Sequence, residues 1–524
     1  MCHRYLLDAP RTAAGVLSRL GERFPTRREN RRTAARTYLD TFDWRLYRDS
    51  GTVLSDAGDG SCSVRWDRFD GGLRHRATMP APPDFARDLP PGGFRDELQV
   101  VTGIRRLLPV VRIERRSERI SVVDGRDKAV VRLSLDHGTA AGSTRRRRRL
   151  PTILRLGRMT GYERAYRGVR RFVEEDLGLA PGPETELDLA LSVVGRRPGD
   201  YTGKLELRLD PDARTDRAVK RILAALWEMM QANEAGLRAD LDPEFLHDFR
   251  VAVRRTRSCL GQVRGVFDEA VTRRFAGEFA WLGRLTGPPR DLDVHLLSLR
   301  GHRAELPASA RGDLSPLADH LEHRRQAAHA QQVAGLDSPR YRRLKRQWRR
   351  LLETDADGCG ANAARSIRAV AGERIERAFA RVRKRGRGLS AETPAAAIHE
   401  LRIACKKLRY LLEFFRSLFA ARRVNAFIRS LKRLQDDLGD YNDLEVQQDE
   451  LQDTARELLA TGAADAPALL AAGRLVERLE TRQAAARRRL ADEVGRFATA
   501  RTAAELDRLL ASRPEAPDAA RGSR

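Results

Sequence analysis

The chain runs to 524 residues and carries 99 Lys and Arg against 73 Asp and Glu, a formal charge of +26. Such a length holds two or three domains with ample buried core, which excludes a small fold that depends on disulfide or metal staples. The charge points to a polyanion or an anionic surface as the partner.

The cysteines, Cys2, Cys62, Cys259, Cys359 and Cys405, include no C-x-x-C pair and are odd in number, so neither a disulfide framework nor a zinc cluster is expected. No apolar run reaches the length of a membrane span, and the first residues lack a charged start followed by a hydrophobic stretch. The expectation is a soluble protein of a reducing, cytoplasmic compartment, with no membrane partner.

In the first two hundred residues, 37–46 and 61–69 alternate as strands, and 109–113, 120–123 and 129–135 continue the pattern. Turn signals such as Asp49-Ser-Gly51, Asp124-Gly125 and His137-Gly138 punctuate them. An antiparallel sheet or barrel is expected, with helices at 10–21 and 162–177. The run Arg145 to Arg149 falls between two strand readings, as a solvated loop or as a basic row facing a barrel interior.

Residues 37–46 (Thr-Tyr-Leu-Asp-Thr-Phe-Asp-Trp-Arg-Leu), residues 112–119 and Leu154-Arg-Leu-Gly157 before a helix together resemble the CYTH family. The resemblance implies a triphosphate-binding barrel whose members hydrolyse triphosphates or cyclise nucleotides. Family enzymes carry E-x-E-x-K in the opening strand and further inward glutamates that hold divalent metal. Here the opening reads Met1-Cys-His-Arg-Tyr-Leu-Leu-Asp8, and the late strand reads Ile153-Leu-Arg-Leu156. A metal-assisted phosphoryl site needs clustered carboxylates, so a degenerate domain is expected, with Mg²⁺ as cofactor only if that domain is active.

From Asp212 the periodicity turns helical, with Pro211 marking the boundary. Helices are expected at 218–233, 243–266, 272–285, 291–299, 316–333, 339–352, 361–385, 393–418, 424–438, 442–459 and 466–496. The expected organisation is an α+β chain of two domains, 1–211 and 212–510, with a disordered tail over 511–524. Residues 247–294 are written again at 399–446. His247, Arg250, Arg254, Arg255, Arg257, Phe267, Gly287, Asp291 and Val294 answer to His399, Arg402, Lys406, Lys407, Arg409, Phe419, Gly439, Asp443 and Val446, each pair 152 residues apart.

On a helix of about 3.6 residues per turn, His247, Arg250, Arg254 and Arg257 share a sector roughly 80° wide, with Leu246, Phe249, Val253 and Leu260 opposite. The second copy repeats the split with His399, Arg402, Lys406 and Arg409 against Leu401, Leu408 and Leu412. Two such stripes facing each other would form a cationic groove with pseudo-twofold symmetry. Asp291, Asp293, Asp443 and Glu445 repeat as acidic turns suited to anchoring neighbouring arginines.

The segments 245–257 (Phe-Leu-His-Asp-Phe-Arg-Val-Ala-Val-Arg-Arg-Thr-Arg) and 398–410 (Ile-His-Glu-Leu-Arg-Ile-Ala-Cys-Lys-Lys-Leu-Arg-Tyr) resemble the paired signatures of the CHAD family, the conserved-histidine α-helical domain. Residues 285–294 and 434–446 resemble its second shared element. The likeness spans about residues 213–505 and implies an all-helical, pseudo-symmetric fold whose basic surface binds inorganic polyphosphate. Polyphosphate has no bases, so rows of Arg and Lys on rigid elements suffice to hold it.

The expected ligand residues are therefore His247, Arg250, Arg254, Arg255, Arg257, His399, Arg402, Lys406, Lys407 and Arg409, with Lys345, Arg349, Lys432 and Arg433 as secondary basic candidates. The histidines have two open roles, phosphate contact as imidazolium or a hydrogen bond to a neighbouring helix. No catalytic or metal residue is expected. Polyphosphate granules and polyphosphate-metabolising enzymes are the expected surroundings. The rival activity is a metal-dependent inorganic triphosphatase in the first domain. Nucleic acid is disfavoured as a partner because no aromatics are interleaved with the stripes.

Overall fold

The computed structural model describes residues 2–7, 10–57, 60–70, 72–142, 146–182, 185–354, 358–390 and 392–514. The chain separates into two compact units, Met1–Gly203 and Lys204–Arg524. No helix among the described residues is long and apolar enough to cross a membrane.

The first unit contains, in order, β1 (Cys2–Leu7), α1 (Pro10–Arg23), β2 (Thr26–Arg28), β3 (Arg32–Asp40), α2 (Arg45–Arg48), β4 (Gly51–Ala57), β5 (Cys62–Arg68), β6 (Leu73–Met79), α3 (Gly93–Thr102), β7 (Leu108–Val123), β8 (Ala129–Ala141), β9 (Arg147–Arg149), β10 (Thr152–Arg158), α4 (Glu163–Arg171) and α5 (Glu186–Val194). The strands form one antiparallel sheet in the order β1-β10-β8-β7-β3-β4-β5-β6, with β2 on β7 and β9 on β8. Among the described strands β1 and β6 do not pair, so the expected barrel is an open sheet. The outer edge of β1 is already taken, since Gly182 N donates to Arg4 O at 2.8 Å and Tyr5 bridges Pro181. That bridge occupies the middle of the strand's outer edge.

Two strand readings change. Residues 109–113 and 120–123 are the ends of the single strand β7, whose charged middle contains no Gly or Pro and pairs with β3 and β8 on its two sides. Residues 37–46 do not stay extended, because the buried Asp40 carboxylate accepts from the backbone N–H of Thr41, Leu46 and Tyr47 at 2.7, 3.0 and 2.9 Å and folds the chain into α2. Burial pushes the Asp40 pKa up to about 6, against the pull of those three amides. The basic run lies as β9 on the sheet, with Arg147, Arg148 and Arg149 exposed; Arg145 lies outside the described residues.

Strand register separates the two faces. One face packs Tyr5, Leu7, Ile120, Leu133, Leu135, Leu154 and Leu156 against α1 and α4. The pairings Arg4–Arg155, Arg36–Asp56 and Arg36–Ile113 place Arg4, Arg36, Asp56, Arg115, Asp136 and Arg155 together on the other. There α5 lays Leu187, Ala190 and Leu191 on Tyr38, Val111 and Ile113.

The second unit is helical: α6 (Thr215–Arg238), α7 (Pro243–Gln262), α8 (Glu269–Leu285), α9 (Gly287–Glu305), α10 (Ser315–Asp337), α11 (Pro339–Glu353), α12 (Ile367–Gly386), α13 (Ala395–Phe414), α14 (Ala421–Thr461), α15 (Ala466–Phe497) and α16 (Ala500–Ala511). The expected disordered tail begins inside this set, because α16 runs to Ala511 and only residues from 515 lie outside the described ones. α6 and α12 start 152 residues apart, and the segments before them meet reciprocally. Thr215 N donates to Arg365 O and Ile367 N donates to Ala213 O, both at 2.9 Å, around the Arg214–Ser366 bridge. Residue i touching j while the mate of j touches the mate of i is the mark of a local twofold axis.

The repeats differ at one joint. Pro288 and Pro289 lack the N–H groups that would continue a helix, so α8 stops at Leu285 and α9 starts at Gly287. Their mates are Asp440 and Tyr441, and the expected break there is absent: α14 is one helix of 41 residues. Gly439 alone costs about 1 kcal/mol relative to Ala, too little to divide it. The repeats also share a core, in which Leu292, Leu296 and Leu317 of the first pack with Leu451, Leu458 and Leu475 of the second.

Candidate anion-binding seam

α7 begins at a capped turn, where the Asp242 carboxylate accepts from Glu244 N at 2.9 Å and Pro243 occupies the first turn. Its apolar side buries Phe245, Phe249, Ala252, Val253 and Leu260, and α13 buries Ile398, Leu401, Leu408 and Leu412 in the same way. At about 1.5–3 kcal/mol for each large side chain removed from water, this burial fixes the rotation of both helices and hence the direction of their basic sides.

The two helices pack against each other. Arg254 of α7 comes close enough to Lys406 of α13, its repeat mate, to act on its charge. Burial is the largest cause of a Lys406 pKa lowered to about 8, Arg402, Arg254 and Arg409 add to it, and Asp443 opposes. Burial likewise lowers Arg250, with Arg254 and Arg290 pushing the same way against Asp291. Arg250, Arg254, Arg402, Lys406 and Arg409 thus form one connected row of positive charge.

The repeated acidic residues lie within α9 and α14 rather than in turns, and Asp443 and Asp291 face this row unequally. Arg402 Nη2 donates to Asp443 Oδ1 at 3.0 Å, and Arg250 Nη2 lies 3.9 Å from the equivalent Asp291. The looser contact has a cause: Arg250 Nη1 donates to Gly283 O at 3.2 Å, a carbonyl near the end of α8. Asp293 instead binds Arg325 at 2.7 Å. His399 is exposed and its Nδ1 stands 3.1 Å from Asn442 Oδ1, so that nitrogen is the donor and Nε2 is left for another partner. His247 is half-buried, and Arg254 and Arg257 are exposed.

Other expected residues lie off the row. Arg255 donates to Glu413 at 2.8 Å and lines a cavity of about 390 Å³ with Lys204, Arg416 and Arg429. Its mate Lys407 is exposed and lines one of about 380 Å³ with Arg381, Arg385 and Glu400. Lys345 binds Glu234 at 2.9 Å, and Arg349 joins it in a third cavity of about 440 Å³ on α11. Lys432 and Arg433 are exposed on α14, with Arg433 4.0 Å from Glu493. Arg290 was missed: its mate is Asn442, so the repeat pattern of basic positions could not reveal it.

The CYTH resemblance implies a divalent metal site in the first unit. Its inward carboxylates are held by arginine: Asp56 by Arg36 at 2.7 Å, Asp136 by Arg155 at 2.5 Å, and Glu186 by Arg36, Arg115 and Arg155 at 2.8–3.0 Å. Among the described residues no group of three or more His, Cys, Asp and Glu could hold a metal ion. The residues present do not fit a divalent cation.

An internally duplicated helical unit with a basic seam between its halves is therefore joined to an open antiparallel sheet. Residues 221–452 match the family model of the CHAD domain, and the helical unit carries that domain. No curated protein sequence matches the chain. Among solved structures, the CHAD domain from the plant Ricinus communis is similar at 29% identity, over 59% of this chain and 98% of that one, with a TM-score of 0.43. PptA from Streptomyces chartreusis is similar at 18% identity, over 54% and 100%, with a TM-score of 0.42. HpAC1 from Hippeastrum, an adenylyl cyclase homologue described as having a dominant triphosphatase activity, is similar at 13% identity, over 38% and 99%, with a TM-score of 0.27.

Proposed function

We propose that the chain binds inorganic polyphosphate along the seam between α7 and α13, by charge and hydrogen bonding and without chemistry. The observation that carries this reading is the meeting of repeat mates Arg254 and Lys406 in a row that also holds Arg250, Arg402 and Arg409. Like charges held together on packed helices store repulsion that a polyanion relieves, and guanidinium forks match phosphate oxygens. Asp443 holds Arg402, and Gly283 O, with Asp291 farther off, holds Arg250. The setting that follows is a polyphosphate granule, or an enzyme that makes or consumes the polymer.

The test compares long-chain polyphosphate, tripolyphosphate and single-stranded DNA at matched ionic strength, with phosphate release followed with and without Mg²⁺. Polyphosphate should bind most tightly, with no release. Reversal of Arg250, Arg254, Arg402 and Lys406 to Glu should abolish that binding with helical content intact. Retained affinity would refute the seam, and Mg²⁺-dependent release from tripolyphosphate would favour the rival triphosphatase of the first unit.

A further inference from the structure

The seam leaves one strongly basic helix unexplained. α11 carries seven basic residues and one acidic residue in fifteen. Its repeat mate, residues 491–505, spans the end of α15 and the start of α16 and carries two basic residues against three acidic ones. The charge of α11 therefore belongs to one half of the helical unit, and the symmetric row does not call for it.

Tyr341, Leu344 and Trp348 are buried to 2% exposure or less, and Tyr341 Oη donates to Glu234 at 2.9 Å, so the rotation of α11 is fixed. Two of its basic residues are used by the fold, Arg340 with Glu278 and Lys345 with Glu234, each at 2.9 Å. Arg342, Arg343, Arg346, Arg349 and Arg350 are exposed, and none of them has a side-chain hydrogen bond or ion pair among the described residues. At roughly 100° per residue these five fan over about 120° of the helix. Arg342 and Arg349 lie along one border of the fan, Arg343 and Arg350 along the other, and Arg346 between them.

We propose that α11 docks duplex DNA, lying along the major groove with each border of the fan reaching one of the two sugar–phosphate backbones. A B-form major groove is about 12 Å wide, a helix with its side chains is about 10–12 Å across, and guanidinium forks match phosphate oxygens. The fan decides against other anions. A single thread such as polyphosphate follows one line and meets one border only. An anionic membrane calls for apolar side chains among the basic ones, whereas Tyr341, Leu344 and Trp348 face the other way. Aromatic stacking platforms are not needed where the bases stay paired.

This surface is independent of the seam, and the experiment uses the full chain with Arg254→Glu and Lys406→Glu in every arm so that anions held there do not count. Fluorescence anisotropy with a labelled DNA duplex of about 20 base pairs should show binding weakened at least about tenfold by Arg343→Gln, Arg346→Gln and Arg350→Gln together. The slope of log K against log salt should fall by about three, one for each lost phosphate contact. Arg474→Gln, Arg488→Gln and Arg489→Gln, an equal charge change at exposed positions of α15, should weaken binding far less. Equal losses from the two triple variants, or an unchanged salt slope, would overturn the proposal. A greater loss of polyphosphate affinity than of duplex affinity in the α11 variant would assign the surface to a thread-like polyanion and overturn it too. A second measurement decides if that variant loses its fold: without substitutions in α11, the duplex should slow amide exchange over residues 339–353, and unchanged exchange there would refute the docking.

Discussion

Arg254 and Lys406 hold the same position in two copies of one helix and stand near each other across the α7–α13 packing, where the guanidinium helps depress the lysine's pKa to about 8. Below that pH the lysine is charged in both the folded and the unfolded chain, and the fold bears the full cost of the buried charge. As pH rises from about 8 towards the ordinary 10.5 the folded chain gives up its proton first, and that cost is relieved. A bound polyanion reverses the shift by favouring the charged form. Polyphosphate binding near pH 8.5 should therefore take up protons, measured as a heat that changes with the ionisation enthalpy of the buffer. Lys406→Arg should bind without that buffer dependence, and a buffer-independent heat for the unsubstituted chain would contradict this account.

The joint between α8 and α9 has no counterpart in α14, and substitution should expose the difference. Asp440→Pro places proline at an exposed position inside α14, where it removes one helical hydrogen bond and crowds the preceding turn. The expected loss is about 3 kcal/mol, read as a lower denaturation midpoint. Pro288→Asp, the mirror exchange in the first repeat, should change stability by less than about 1 kcal/mol. Equal effects would mean that the two halves do not differ in the way described.

Asp216 sits where the two repeats meet. Its buried carboxylate binds Arg214 Nη2 at 2.7 Å and accepts from Gly358 N at 2.8 Å and Arg217 N at 2.7 Å. Burial pushes its pKa up, but Arg214 and those amides outweigh it and leave it below the ordinary carboxylate range. Its contribution is therefore present above the unfolded pKa and lost as pH falls through the folded one. Asp216→Asn should cost about 1–3 kcal/mol at neutral pH, and urea midpoints of the two chains should converge as the solution is acidified below about pH 4.

Trp348 is fully buried on α11 with its ring edge-on to Phe275 and Phe279, at 4.8 Å in each case. Trp348→Ala should cost about 3–5 kcal/mol, measured by chemical denaturation. Arg349→Ala, one residue on and exposed, should leave stability nearly unchanged.

Duplication at a constant spacing carries information that a single basic helix lacks: it pairs Arg250 with Arg402 and Asp291 with Asp443 in the sequence itself, while the approach of the two stripes to each other is a matter of helix packing that the spacing does not contain. Arg290 escaped because its mate is not basic. The turn at Asp40 escaped because a buried aspartate taking three backbone amides cannot be told from a strand residue by alternation. The Glu186 cluster was invisible for a different reason. Its partners lie on three strands far apart in the chain, and only the register that sets Arg36, Arg115 and Arg155 on one face brings them to a single carboxylate.

The reciprocal hydrogen bonds of Thr215 and Ile367 set a dyad through the helical unit, and a dyad has no sense of direction. A ligand threaded past it from left to right encounters the same order of partners as one threaded from right to left. Such a site cannot read the direction of a polymer, so a strand with unlike ends has a polarity that goes unused there, and a polymer that is identical when reversed has none to lose.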